Sequence, residues 1–250
     1  MVRATFRFYE ELNDFLPAAR RRQVFTCACA PAATVKHMIE ALGVPHTEVE
    51  LVLLNGESVG FERMILDGDR LAVYPRLEAL NINPQLKVHA HPLRVLRFVA
   101  DAHLGGLANL LRMCGFDTLH DNDFEDDRIA EIAAHQGRVV LTRDRELLKR
   151  RIITHGCYLH AIKPSLQLRE LFERLDLARS ARPFSRCLHC NLPLHEIPVE
   201  QARPHVPPQV ARLYSHFLFC DACRRVYWEG SHWRSMRVLL APLLDRGGLH

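Results

Sequence analysis

The chain has no run of about 18 apolar residues, so nothing in it reads as a bilayer-spanning helix. Its start, MVRATFRFYEEL, lacks the uninterrupted apolar core of a secretory leader. No internal repeat or low-complexity tract is evident, which sets aside repeat arrays and wholesale disorder. Cysteine is scarce: 8 in 250 residues cannot form the disulfide framework of a chain this long. Strong net charge is also missing, at +4 with histidines neutral. What is present, 48% hydrophobic and 25% charged residues, suffices to bury a core in one large domain or two to three small ones.

The small net charge is unevenly placed. Residues 1–95 and 96–180 are each balanced, whereas residues 181–250 carry 9 basic and 5 acidic side chains. A polyanion would be drawn to that last segment. The cysteines divide similarly. Cys27, Cys29, Cys114 and Cys157 are scattered, while Cys187, Cys190, Cys220 and Cys223 form two tight pairs. That usage points to a metal and a reducing compartment, hence a cytoplasmic protein with no membrane attachment.

Residues 2–8 alternate Val2, Ala4, Phe6 and Phe8 with Arg3, Thr5 and Arg7, the period of a half-buried strand. A second strand is expected over 23–29. Thr34 should cap a short helix carrying Val35, Met38, Ile39 and Leu42 inward, stopped at Gly43. A strand then enters the Asn55-Gly56 turn, and Leu71–Tyr74 follows Asp67-Gly68-Asp69. The order β-β-α-β-β predicts a small α+β fold. This stretch resembles a ubiquitin-type β-grasp, most closely the sulfur carriers of thiamine and molybdopterin synthesis. Those act through a free C-terminal Gly-Gly. Here the matching strand runs into Pro75 and the chain continues, with Gly247-Gly248 followed by Leu249 and His250, so sulfur carriage is not expected. The two-proline stretch 81–93 reads as a linker.

From 94 to 180 strands and helices alternate, predicting a parallel, doubly wound α/β sheet. The pattern gives a strand ending at Asp101, a helix over 104–113 closed by Gly115, and a short strand at 117–120. A helix capped by Asp126 or Asp127 follows, then the strand VVLT ending at Arg143-Asp144. A short helix over 146–151, a strand over 157–162 and a helix over 165–175 complete the unit. Ligands of such sheets bind outside the carboxyl ends of the strands. Those ends carry Asp101, then Asp121 and Asp123, then Asp144, with Asp126 beginning the intervening helix. Carboxylates converging from separate strands need a cation, and oxygen donors select Mg²⁺ or Mn²⁺, which suit phosphoryl transfer. Residues 117–131 hold seven acidic groups and one basic, whereas 138–151 hold six basic and two acidic. An acidic pocket beside a basic ridge suits a phosphodiester, with Arg143, Arg145 and Lys149 on neighbouring phosphates. The competing reading is that these aspartates are helix caps and solvated turn residues and the basic run a solvated helix face.

The string FVADAHLGGLANLLRMCGFDTLHDNDFEDDRIAEIAAHQGRVVLTRDRELLKRR resembles the Mut-seven C-terminal RNase domain, among the PIN-like nucleases. That resemblance implies a metal-dependent nuclease whose carboxylates are Asp101, Asp126 and Asp144, with Glu146 at a weaker fourth position. Asp127 replaces Asp126 if the correspondence slips by one residue. Relatives of this kind often carry a ubiquitin-like N-terminus and a C-terminal cysteine ribbon.

Cys187-Leu-His-Cys190 and Cys220-Asp-Ala-Cys223 are two C-x₂-C units separated by 29 residues. Two such turns complete a tetrahedral, structural Zn²⁺ site, with the proline-rich stretch through Pro207-Pro208 projecting as an insertion. His189 and His195 are not expected as ligands. Downstream, Arg224 and Arg225 interleave with Tyr227, Trp228 and Trp233, which suits stacking on unpaired RNA bases. The alternative is that both tryptophans form the ribbon's own core.

The expected architecture is therefore multidomain: an α+β β-grasp at 1–80, a linker at 81–93, an α/β PIN-like parallel-sheet domain at 94–180 and a zinc ribbon with a basic, aromatic tail at 181–250. The expected function is Mg²⁺- or Mn²⁺-dependent hydrolysis of RNA, tRNA or another structured RNA among the candidates. The rival is a non-catalytic RNA-binding adaptor using the ribbon, and the β-grasp could dock a protein partner.

Overall fold

The computed structural model describes residues 2–75, 96–175 and 177–244. Two compact units emerge: Met1–Val95 with Glu125–Tyr158, and Leu96–Phe124 with Leu159–His250. The expected linker at 81–93 and Gly247-Gly248 lie outside the described residues.

The N-terminal region forms a five-stranded mixed sheet. Strands β1 (Val2–Phe8), β2 (Phe25–Cys29), β3 (Val49–Leu54), β4 (Glu57–Ser58) and β5 (Arg70–Pro75) stand in the order β2-β1-β5-β3-β4. The central β1–β5 pair is parallel, with Phe6 opposite Leu71, and the other pairings are antiparallel. Helix α1 (Val35–Ala41) begins where the Thr34 hydroxyl accepts from the His37 N–H at 3.2 Å. It ends at Gly43, whose φ of +101° favours glycine. The Asn55-Gly56 hairpin turn also forms, both residues at positive φ. Phe6, Phe8, Ile39, Val52 and Val73 belong to one apolar core with α1. This is the expected β-grasp.

Beyond it, β6 (Arg97–Ala100), α2 (Gly105–Met113) and β7 (Asp117–Leu119) form a βαβ unit, Val99 pairing in parallel with Leu119. Gly105 and Gly106 allow close approach, since a Cβ there would fall 2.9 Å from the His120 ring and 2.7 Å from Pro164. After α3 (Asp126–Gln136), strand β8 (Val139–Thr142), helix α4 (Arg145–Leu148) and β9 (Gly156–Tyr158) form a second parallel βαβ unit. The N-cap of α3 is Glu125, so Asp126 and Asp127 sit in the first turn rather than capping it.

Strand β9 is shorter than the apolar run suggests. The N–H groups of His160 and Ala161 donate to the Glu170 carboxylate at 3.1 Å each instead of to a neighbouring strand. Glu170 belongs to α5 (Pro164–Leu175).

The last segment folds around a three-stranded antiparallel sheet, β10 (His195–Ile197), β11 (Phe217–Phe219) and β12 (Val226–Trp228). The proline-rich stretch does not project. Helices α6 (Val199–Ala202) and α7 (Pro208–Leu213) fold back, and Ala202 and Val206 join Ile197, Phe217 and Phe219 in a small core. Helix α8 (Ser231–Leu244) closes the described chain. No helix among the described residues is long and apolar enough to cross a membrane.

Candidate functional site

The two C-x₂-C units fold into matching turns. The N–H of Cys187 donates to the Leu192 carbonyl at 2.8 Å, and that of Cys220 to the Arg225 carbonyl at 3.0 Å. The first cysteine's carbonyl in each turn accepts from the residue after the second: Asn191 to Cys187 at 3.0 Å, Arg224 to Cys220 at 2.8 Å. Asn191 and Arg224 both take positive φ, +63° and +59°. This repeated geometry turns both sulfurs of each pair the same way.

The four Sγ atoms all lie within 4.8 Å of one another, with Cys187–Cys223 at 3.5 Å and Cys190–Cys220 at 3.2 Å. Zinc–sulfur bonds of about 2.3 Å imply tetrahedron edges near 3.8 Å, so the donor set fits such an ion in type, number and spacing. Among the described residues it is the group of His, Cys, Asp and Glu donors close enough to share one ion. His189 and His195 are not part of it; His195 pairs with Asp221 at 3.3 Å.

Burial resists ionisation of the Cys187 thiol, but N–H donors from Cys190 and His189, the Tyr227 hydroxyl at 3.1 Å and the Cys190 thiol outweigh it. Together they bring Cys187 down to about 6. Burial and the crowding sulfurs push Cys190 up to about 12, and Cys223 upward as well. Without a cation the cluster thus favours a thiolate at Cys187 beside protonated Cys190 and Cys223. A divalent ion would replace those protons.

Two residues that local pattern did not single out anchor the first turn. Arg112, buried on α2, donates to the carbonyls of Thr118 (2.9 Å), Leu188 (3.0 Å) and His189 (3.2 Å). Burial lowers its pKa, while the charges of Cys187, Cys190 and Asp117 act the other way. Buried Asn191 donates to Asp117 at 2.7 Å and accepts from the Thr118 N–H at 3.0 Å. Their partners lie 6 to 77 residues away along the chain. Only the asparagine beside a cysteine could have been flagged from sequence.

The acidic residues are placed as follows. Asp101 directly follows β6, is 7% exposed, and faces His103 Nδ1 at 3.5 Å. Asp144 follows β8 and caps α4, accepting from the Glu146 N–H at 2.8 Å. Glu146 points outward and pairs with Lys149 at 2.7 Å. Asp126 faces Arg150 at 3.4 Å, and the same guanidinium makes a short contact with Asp127. Those two carboxylates hold Arg150 protonated, Asp127 most strongly.

Of the expected phosphate contacts, Arg143 is exposed. Arg145 instead donates to the Phe15 and Asp14 carbonyls at 3.3 and 3.2 Å, its plane over the rings of Phe15 and Tyr158. Arg224 lies over Phe219 at 5.2 Å, and Arg225 lines a cavity with Tyr227. Trp233 stacks on Phe184 at 4.6 Å with Arg237 over it, and Trp228 packs against the small core. A groove of about 640 Å³ runs beside both tryptophans and also carries Glu196, Glu229 and His216.

Fold and site together define a ubiquitin-like β-grasp joined to a parallel-stranded α/β region and a four-cysteine cluster able to hold a metal. The Mut7-C RNAse domain model matches residues 96–240, and the Mut7-C ubiquitin model matches residues 1–81. The chain belongs to the Mut7-C RNAse domain family. Among solved structures, small archaeal modifier protein 1 of Haloferax volcanii is 22% identical, spanning 31% of this chain and 100% of its own at a TM-score of 0.26. A Pyrococcus furiosus protein described as molybdopterin converting factor, subunit 1, is 15% identical over 31% of this chain and 100% of its own, with a TM-score of 0.25. No curated protein matches the chain.

Proposed function

We propose that the chain is a metal-dependent ribonuclease in which Asp101, Asp126 and Asp144, with Glu146, provide the carboxylates. The observation that carries this reading is the RNase-domain match over residues 96–240, which contains all four. Support comes from Asp101, directly after one parallel strand, and Asp144, two residues beyond the end of another, each opening a helical turn. Hard oxygen donors of this kind suit Mg²⁺ or Mn²⁺, which when bound would supply a polarised water at the scissile phosphate. The chain's own part is to hold the carboxylates in place. Asp144 is fixed by its cap bond, and Asp126 faces Arg150, which must release it when a cation binds. Arg143 and Lys149 would meet flanking phosphates of RNA, tRNA or another structured RNA among the candidates.

Residues 181–250 act as a zinc ribbon, with Cys187, Cys190, Cys220 and Cys223 as structural ligands and no open coordination position. Arg224, Arg225 and Trp233 would add RNA contacts beside it. The domain scheme of β-grasp, linker, nuclease and ribbon follows from this reading, and cysteines grouped as two C-x₂-C pairs suit the cytoplasm.

The test uses Asp101→Asn and Asp144→Asn chains shown to be folded. We expect losses of about 10²-fold or more in RNA cleavage with Mg²⁺ or Mn²⁺. Cleavage at the parent rate by both variants would overturn the mechanism. A second reading, an RNA-binding adaptor without catalysis, draws on the pairing of Asp126 and Asp127 with Arg150. It predicts RNA binding by the parent with no metal-dependent cleavage, and loss of that binding when Cys220 and Cys223 are replaced.

A further inference from the structure

One compact unit joins the β-grasp to Glu125–Tyr158, the stretch that carries Asp126, Asp144 and Glu146. Three contacts account for this. Arg145, next to Asp144, lays its guanidinium over Phe15 at 4.9 Å and Tyr158 at 5.4 Å and donates to the carbonyls of Asp14 and Phe15. The buried Glu48 carboxylate accepts from the Tyr158 N–H of β9. The buried His46 ring lies between Glu40, at 2.7 Å, and the Ile153 carbonyl, at 2.8 Å. The fit is close: a Cβ on Gly156 would fall 2.4 Å from Leu148 and 3.3 Å from the Thr47 hydroxyl.

Helix α4 has only four residues, too few to hold itself in water. Its shape depends on the burial of Leu147 and Leu148 and on what grips Arg145. The Arg145 fork is committed to two carbonyls and its plane to two rings, so little remains for a phosphate.

We propose that the ubiquitin-like domain is a fixed clamp on residues 143–158 and that Arg145 is a positioning residue for Asp144 and Glu146. This gives the domain a task inside its own chain rather than as a detachable docking module. The catalytic consequence rests on the ribonuclease reading; the clamp itself does not.

The experiment compares the full parent chain with Arg145→Ala, which removes the ring and carbonyl contacts together, and Phe15→Leu, which removes one ring and leaves both carbonyls and Tyr158 in place. Amide hydrogen exchange over 143–149 and 156–158 reads the clamp, and exchange in β1–β5 reads whether the β-grasp stays folded. Should Arg145→Ala fail to fold, Arg145→Lys takes its place, since it keeps the charge but loses the plane and the fork. We expect exchange over 143–149 to rise by about tenfold in Arg145→Ala and to rise less in Phe15→Leu. We also expect kcat for RNA with Mn²⁺ to fall roughly 10- to 100-fold at nearly constant KM, as displacement of a catalytic group does. The double variant should be little worse than Arg145→Ala alone. Unchanged exchange overturns the clamp, and a raised KM with kcat intact overturns the positioning role and marks Arg145 as a substrate contact. If the parent cleaves nothing, the ribonuclease reading falls while the exchange arm still decides the clamp.

Discussion

Arg112 shows how one buried side chain can serve both structure and charge. Its three carbonyl acceptors come from β7 and the first cysteine turn, so truncation would orphan a buried oxygen on β7 and two part-buried ones in the turn. Arg112→Met keeps much of the volume and should cost about 2–3 kcal/mol of stability, seen as a lower Tm. A tetrathiolate bearing a divalent ion keeps net negative charge, so the same change should weaken zinc retention against a chelator. A Met variant that holds zinc as tightly as the parent would make Arg112 merely a strut. Glu170 acts through the opposite sign. Burial alone would raise its pKa, but the His160 ring and backbone N–H and the Ala161 N–H hold it below the ordinary 4.5. A depressed carboxylate contributes stability above its unfolded pKa, and that stability is lost as pH falls through the folded value. Glu170→Gln should therefore lower Tm at pH 7 by an amount worth about 1–2 kcal/mol. The gap to the parent should shrink below about pH 4. A gap equally wide in acid would show that the ionised carboxylate is not its source.

At the level of elements, local chemistry was readable wherever it acts over a few residues. Thr34 before an apolar 3–4 spacing, Gly43 after Leu42 and Asn55-Gly56 between strands mark the boundaries that form. The cysteine pairs likewise announced a metal-capable cluster, because a C-x₂-C turn closes on itself. Short strands left no such trace: β10, β11 and β12 have three residues each, less than the alternation needed to show a period. The end of β9 was obscured because a side chain from α5 takes the N–H groups that a ladder would use. Prolines at 207 and 208 read as an outward loop, yet Pro208 opens α7 at a position where proline costs no hydrogen bond. The role of Arg145 was hidden for another reason. Its carbonyl partners lie 130 and 131 residues away, and a basic run looks alike whether it faces phosphate or aromatic rings.

Across the whole molecule, the two units differ in what secures their C-terminal or sheet regions. The β-grasp buries nineteen apolar residues across its sheet, α1 and connecting segments. The β10–β12 sheet rests on five: Ile197, Ala202, Val206, Phe217 and Phe219. A core that small is below what a domain of this length normally requires, and a structural metal is the usual remedy. Structural zinc sites in small domains contribute on the order of 10 kcal/mol, enough to decide folding outright. Chelating the metal, or changing Cys220 and Cys223 to Ser, should therefore abolish exchange protection in β10–β12 while β1–β5 keep theirs. Metal analysis of the parent should find one zinc per chain, and its release should track the loss of protection. Protection in β10–β12 that survives complete metal removal would mean that apolar packing with α6 and α7 alone holds the sheet. The four thiols would then be a redox or transient site rather than the staple of this region.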